Sequence, residues 1–436
     1  MGARTTALAA LIACRKQGAW ADGVLKDYIA RDKLDRREAA LASRLCYGVL
    51  QNRMLLDHYL DCCLNGPIKK LQPVVLDILR LGAYQLLLMD KIPVSAAVNE
   101  AVEQAKKYAN RSASGLVNGV LRRLAREGEQ LPAPDSLAVR YSHPQPLVDL
   151  LREAVGADRV EALLASHNEA PPTILQLNRL AADPHQTLSA LQEHGALLTS
   201  HPWLEDSYFL TGGGSPEHLP GFREGAFFVQ DPAARLSVLA AGLQPGMKVL
   251  DCCSAPGGKS FAAAMAMENR GSICSCDIHP HKITLIEKGA ERLGITICEP
   301  TLQDASTFVP QWEQAFDAVI ADVPCSGLGV IRKKPDIRYK DLQDIRRLPD
   351  IQHRILDNVC RYVKPGGVLL YSTCTILPAE NELQMQMFLN THPNFTAEAF
   401  SVPDGLPEGD NNGMLTLLPS IHGTDGFFIC KLRRTL

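Results

Sequence analysis

From about residue 235 to the end of the chain, short apolar runs alternate with helical stretches, and that alternation restricts the possible folds more than any other feature. Strand candidates fall at 248–251, 272–277, 295–299, 316–322 and 367–373. Several are near-continuous apolar runs, as strands covered on both faces should be. Strand, helix, strand in this order implies a doubly wound, mostly parallel sheet. Gly426-Phe-Phe-Ile-Cys-Lys-Leu432 reads as a further strand, with Met414 to Leu418 as its candidate partner.

The preceding residues follow other rules. At 436 residues the chain is long for a single core, so two or three domains are expected. Residues 1–130 read as all-helical: Asp35 and Glu38 resemble a capping box ahead of Leu41, Leu45 and Val49. Further faces are carried by Leu76, Leu79 and Ala83, by Val98, Val102 and Ala105 after Pro93, and by Leu116, Val120 and Leu124. Gln130 to Ala138 contains proline and lacks periodicity, as a linker does. Residues 139–232 read as a small α/β domain, with helices around Leu147 and Leu163 and a strand at Thr173–Asn178, and 233–436 form the doubly wound domain.

Charge divides along the same lines. Residues 1–130 hold 20 Lys and Arg against 13 Asp and Glu, whereas the whole chain carries −3. A basic helical front on an acidic body suits a polyanionic partner, although a solvated helix surface explains the count equally well. No apolar run approaches the roughly 20 residues that span a membrane, and the N-terminus has no signal-peptide core. None of the thirteen cysteines forms a Cys-x-x-Cys pair, so no metal site is expected and reduced, cytoplasmic thiols are.

In a doubly wound sheet, ligands bind beyond the carboxyl ends of the strands. Asp251-Cys-Cys-Ser-Ala-Pro-Gly-Gly-Lys259 lies there, directly after Lys248-Val-Leu. Its glycines allow a sharp turn and close backbone approach, and the following helix offers free N–H groups to a carboxylate. Asp277 closes the second strand at the spacing where an acid meets ribose hydroxyls, and Asp304 follows the third, where it could accept from an adenine amino group. A dinucleotide fingerprint is absent, which argues against a nicotinamide-dependent thiol dehydrogenase. Cys253, Ser254, Ala255, Pro256, Gly257, Gly258 and Lys259 suit a ligand with a carboxylate and no pyrophosphate, such as S-adenosylmethionine.

Two cysteines stand apart from the rest. Cys325 in Asp322-Val-Pro-Cys325-Ser-Gly and Cys374 in Tyr371-Ser-Thr-Cys374-Thr both follow strand carboxyl ends on the cofactor rim. Most cysteines are small buried hydrophobes. A thiol pair on this rim suggests covalent chemistry on a substrate that must be activated, such as cytosine, whose C5 becomes nucleophilic once a thiolate adds to C6. Asp322, if protonated, or a water could donate at N3. The residues themselves leave open which cysteine attacks.

These three motifs resemble the signatures of the RNA cytosine-5 methyltransferases, the Sun/NOL family. The resemblance implies that Cys374 is the nucleophile, that Cys325 assists release, and that Cys253–Lys259, Asp277, Asp304 and Asp322 contact S-adenosylmethionine. Arg44-Leu-Cys-Tyr-Gly48, Arg80-Leu-Gly-Ala-Tyr-Gln85, Ile92–Glu100 and Leu116–Arg122 resemble the NusB-like RNA-binding domain. The combined layout is similar to that of bacterial small-subunit ribosomal RNA methyltransferases. It implies a Rossmann-like catalytic domain, a monomer, and free or early-assembly 16S rRNA as substrate. The rivals are the same chemistry on tRNA, and a NusB-like RNA-binding or antitermination factor with a silent catalytic domain. Val323, Ser254 and Thr375 depart slightly from the usual pattern and remove no reacting group.

Overall fold

The alternating pattern produces the expected sheet. A computed structural model describes residues 2–17, 20–181 and 183–435. They divide into two units, Met1–Glu169 with Ile331–Lys340, and Ala170–Val330 with Asp341–Leu436.

The second unit holds two sheets. The smaller comprises β1 (Thr173–Leu177), β2 (Ala196–Ser200), β3 (Ser207–Gly212) and β4 (Phe227–Val229), antiparallel in the order β2-β3-β1-β4. Leu175, Leu177 and Phe227 pack on Leu191 of the helix Pro184–Glu193. The larger contains β5 (Lys248–Asp251), β6 (Ser272–Asp277), β7 (Cys298–Leu302), β8 (Phe316–Asp322), β9 (Val363–Thr373), β10 (Phe395–Ala397), β11 (Met414–Leu417) and β12 (Phe427–Arg434). Its order is β10-β12-β9-β8-β5-β6-β7, with β11 also on β12. From β9 to β7 the pairs are parallel, and β12 runs antiparallel to β9. The direction of winding reverses between β5 and β8, which is where such sheets bind ligands.

Both faces of this sheet are covered, and side-chain alternation shows it residue by residue. Val249, Ala318, Ile320, Val368, Leu370 and Ile429 enter one core, with the helices Pro232–Ala241, Gly258–Ala266 and Pro280–Arg292. Leu250, Val319, Ala321, Leu369, Tyr371 and Phe428 enter the other, with Leu348–Val359 and Glu382–Thr391. β7 starts three residues later than the run 295–299 suggests. Gly294 turns at φ +67°, and the Ile295 N–H donates to the Ala290 carbonyl, closing the preceding helix. Ile295 is therefore spent as the buried residue after a helix cap, and pairing begins beyond it.

The first unit holds seven α-helices between Ala3 and Glu127 among the described residues, followed by Leu137–Arg140, Gln145–Val155 and Val160–Ser166. Asp35 caps Arg36–Gln51 by accepting from the Glu38 N–H at 2.9 Å, but Glu38 does not complete a box; its carboxylate accepts from the Ala3 N–H instead. In Arg111–Glu127 the inward face is Val117, Val120, Leu121 and Leu124. Leu116, expected inside, is 40% exposed, because the stripe at i, i+3, i+4 and i+7 begins one residue later.

Ile331–Lys340 belongs to this helical unit although its sequence position lies among the strands of the other. Arg338, 2% exposed, donates to the carbonyls of Gln51 (2.7 Å), Tyr141 (3.0 Å) and His167 (2.8 Å). The Tyr339 hydroxyl donates to the Leu50 carbonyl, and Asp336 accepts from the Ala21 N–H.

Candidate active site

The loop after β5 is built as a cradle. The Ser254 N–H donates to the Cys276 carbonyl at 2.7 Å, tying the turn to the end of β6. Gly257 adopts φ +109°, and a Cβ there would lie 2.3 Å from the Phe261 ring, so glycine is required on both counts. Helix Gly258–Ala266 then starts with its N-terminus at the carboxyl edge of the sheet. Asp251 is wholly buried, accepts from the Ser260 hydroxyl at 2.7 Å, and burial pushes its carboxyl up to about 7. Its second oxygen and the buried Ser254 hydroxyl have no hydrogen-bond partner. Buried polar atoms are seldom left so, and the Ser254 hydroxyl at the head of the loop can meet a polar ligand group.

Asp277 ends β6 beside this loop. One of its oxygens accepts from the His279 N–H at 3.0 Å and the other lies 3.5 Å from Lys282 Nζ. Ile278, next along, is 54% exposed and offers an apolar surface at the same edge. Asp304, beyond β7, accepts from the Ser306 N–H (2.8 Å) and hydroxyl (2.7 Å), so it is engaged in its own turn. The donor set of Ser254, the 258–266 helix N-terminus and Asp277 fits a molecule bearing a carboxylate and a ribose.

The two singled-out cysteines are brought together. β8 and β9 are parallel neighbours, so the turns leaving their carboxyl ends lie side by side. The Cys325 and Cys374 sulfurs are 3.1 Å apart. The hydrogen bond from Cys325 lowers Cys374, burial opposes this, and the Lys259 ammonium adds to the lowering. The same bond raises Cys325 well above the usual thiol range, and burial and the carboxylate of Glu380 raise it further. The two thiols are therefore driven apart, Cys374 downward and Cys325 upward, across one shared hydrogen bond.

Lys259 and Asp322 complete the rim. Lys259 Nζ lies 2.7 Å from one Asp322 oxygen, and the Ser372 hydroxyl donates to the other at 2.9 Å. Burial would lower Lys259, but the charge and hydrogen bond of Asp322, with the Asp251 and Cys374 charges, together outweigh it and hold the ammonium. Both Asp322 oxygens thus accept hydrogen bonds within the rim.

Sequence reasoning missed the residues that hold the thiols. Glu380, Gln352, Ser326, Thr375 and Asn381 are buried polar groups bonded to one another or to the cysteine turns. Pro378-Ala-Glu-Asn-Glu382 resembles an exposed helix start, and no periodicity distinguishes an inward carboxylate there. Arg122 and Arg123 of the front domain are occupied by Asn118 and Glu127 respectively. Among the other cysteines, Cys46, Cys63, Cys276, Cys360 and Cys430 are buried, whereas Cys14, Cys62, Cys274 and Cys298 are partly exposed.

Residues 238–433 match the 16S rRNA methyltransferase RsmB/F family, 1–126 the NusB family, and 143–215 the RsmF/B-like ferredoxin-like domain. The chain is 38% identical to the probable ribosomal RNA small subunit methyltransferase B of Bacillus subtilis, covering 99% of this chain and 98% of that one. The corresponding Synechocystis protein is 34% identical over the full length of both, and the Escherichia fergusonii methyltransferase B 33% identical over 92% of each. Among solved structures, PH0851 superimposes with a TM-score of 0.82 at 23% identity, covering 99% of this chain and 98% of that one. NSun6 from Pyrococcus horikoshii, solved with the S-adenosylmethionine analogue SFG, gives 0.61 at 20% identity, covering 67% of this chain and 98% of that one.

Proposed function

Because the chain belongs to the RsmB/F family of 16S rRNA methyltransferases, we propose that it methylates C5 of a cytosine in 16S rRNA through a covalent adduct between Cys374 and C6. The observation that carries this reading is the pair of thiols 3.1 Å apart at the ends of adjacent parallel strands, beside a partly buried Lys259–Asp322 pair. S-adenosylmethionine, held by Cys253–Lys259, Asp277, Asp304 and Asp322, supplies when bound the electrophilic methyl group that C5 accepts.

The chain's own residues perform the remaining steps. Cys374, the lowered thiol beside Lys259, adds as thiolate to C6, forming the S–C bond while N3 takes a proton. Cys325, the thiol that retains its proton, is suited to assist release rather than attack. A base then takes the C5 proton, the S–C bond breaks to return the Cys374 thiolate, and N3 gives up the proton it had gained. Asp322 keeps Lys259 oriented at the rim throughout.

RNA is the proposed partner, anchored by the basic residues of 1–130, with 139–232 and 233–436 completing a three-domain, monomeric, cytoplasmic protein that acts on free or early-assembly RNA. Transfer of labelled methyl groups to 16S rRNA from cells lacking this gene, followed by bisulfite mapping, tests the reading. One protected cytosine in 16S rRNA is expected. Labelling confined to tRNA, or absent from RNA altogether, would overturn it.

A further inference from the structure

A buried carboxylate that nothing in the reaction touches directly lies behind the thiol pair. Glu380 is 1% exposed, on the short turn Pro378–Glu380 after Cys374. Its Oε2 accepts from the Ser326 N–H at 2.9 Å and from Gln352 Nε2 at 2.8 Å. Gln352 Nε2 also donates to the Pro324 carbonyl at 3.0 Å. Cys325 is therefore gripped on both sides, through the carbonyl of residue 324 and the N–H of residue 326, and the two grips are bonded to each other. The Ser326 hydroxyl donates to Thr375 at 2.7 Å, which joins the Cys325 turn to the residue after Cys374. The Tyr371 hydroxyl fixes the Glu380 backbone by donating to its carbonyl at 2.6 Å.

Burying a carboxylate among neutral donors is costly, and an apolar residue of similar size would fill the space more cheaply. Burial raises the Glu380 carboxyl, and the bonds from Ser326 pull it back. The charged and titratable groups acting on the thiol pair are Cys374, Glu380, Asp322, Tyr371, Lys259 and Asp425. Glu380 and Asp322 act on Cys325 as negative charges; on Cys374, Asp322 and Asp425 act as negative charges and Lys259 as a positive one.

We propose that Glu380 is a positioning residue for the thiol pair: its carboxylate clamps the Cys325 turn against the Cys374 strand end and sets a negative charge behind that turn. This rests on the reading that Cys325 assists release from a Cys374 adduct.

The test uses the full-length chain, S-adenosylmethionine and an unmodified 16S rRNA transcript, with Glu380→Ala, Glu380→Gln and Cys325→Ala compared. Glu380→Ala should lower turnover by about tenfold or more and accumulate a denaturant-stable protein–RNA adduct, as Cys325→Ala does, while cofactor affinity stays unchanged. Glu380→Gln keeps an acceptor oxygen for the Ser326 N–H but loses the charge, so its turnover should fall between those of Glu380→Ala and the wild type. A second measurement needs no RNA. In a Cys374→Ser background, the pH midpoint for iodoacetamide labelling of Cys325 should fall when Glu380→Gln removes the charge, which a merely structural role would not cause.

Wild-type turnover in Glu380→Ala, or loss of cofactor affinity in parallel with activity, would overturn the proposal. An unmoved Cys325 midpoint in Glu380→Gln would also overturn it, and this decides the matter if Glu380→Ala does not fold. If Cys325→Ala itself turned over normally without adduct, the paired-thiol reading would fail, while the labelling midpoint would still judge Glu380 alone.

Discussion

Replacing Arg338 by Met should loosen the helical unit by an amount that the structure allows to be worked out. The guanidinium donates to three carbonyls, but that of Tyr141 also accepts from His143 Nδ1 and Asn168 Nδ2. The loss falls on the Gln51 carbonyl and, in part, on that of His167, which keeps a longer bond from Gln51 Nε2 at 3.3 Å, at about 1–3 kcal/mol each. Against this stands relief from burying a charge. Burial pushes Arg338 down from 12.5 to about 10, a handicap of about 3 kcal/mol at roughly 1.4 kcal/mol per unit. The balance is a net destabilisation of about 1 kcal/mol, or roughly fivefold in local opening. Arg338→Lys should be no better than Met, because an ammonium keeps the desolvation cost and cannot reach three carbonyls with a planar fork. Hydrogen exchange on the full chain would read this at the end of Arg36–Gln51 and in Val160–Ser166, with β5 to β9 as internal reference. Unchanged exchange in Arg338→Met, or a Lys variant clearly better than Met, would refute the reasoning.

Asp277→Ala should weaken S-adenosylmethionine binding by about 10- to 100-fold, the worth of a charge-assisted bond pair of roughly 1.5–3 kcal/mol, and calorimetry would reveal it. Affinity of the full chain for 16S rRNA should fall steeply with salt, because phosphate contacts release counterions, and deletion of residues 1–128 should flatten that slope. His143 and His167, buried with ring nitrogens 3.1 Å apart, are held well below the usual histidine range by burial and by Arg338. Their folded pKa values are depressed, so the unfolded chain binds more protons below about 6.5 and stability falls as pH drops, by up to roughly 1.4 kcal/mol per pH unit for each histidine. Exchange in Leu137–Arg140 and Val160–Ser166, corrected for intrinsic rate, should accelerate below pH 6; no change would mean the pair is already protonated or exposed.

Near-continuous apolar runs and period-3.6 stripes made the doubly wound sheet and the helical front legible, because each marks the surface that is buried. The motif residues at strand ends were legible for a related reason. A glycine turn, an acid and a thiol each interrupt an apolar run where a strand must stop. What stayed hidden is whatever depends on partners far apart in sequence. Arg338 reads as a solvated cation in a basic stretch, yet its donors meet carbonyls from residues 51, 141 and 167. Glu380 reads as a helix-start acid, yet it binds residues 326 and 352. Leu116 and Ile295 were misplaced by one and by three positions, because a cap or a stripe boundary shifted while the period held.

The central claim is that Cys374 attacks and Cys325 releases, and a denaturing gel of each alanine variant mixed with S-adenosylmethionine and unmodified 16S rRNA tests it most directly. Cys374→Ala should give neither adduct nor methylated product, since the attacking sulfur is gone. Cys325→Ala should give a stable conjugate containing methylated RNA, since attack and transfer remain possible and elimination does not. A conjugate trapped by Cys374→Ala and abolished by Cys325→Ala would reverse the two roles, and full turnover by both variants would contradict the covalent account itself.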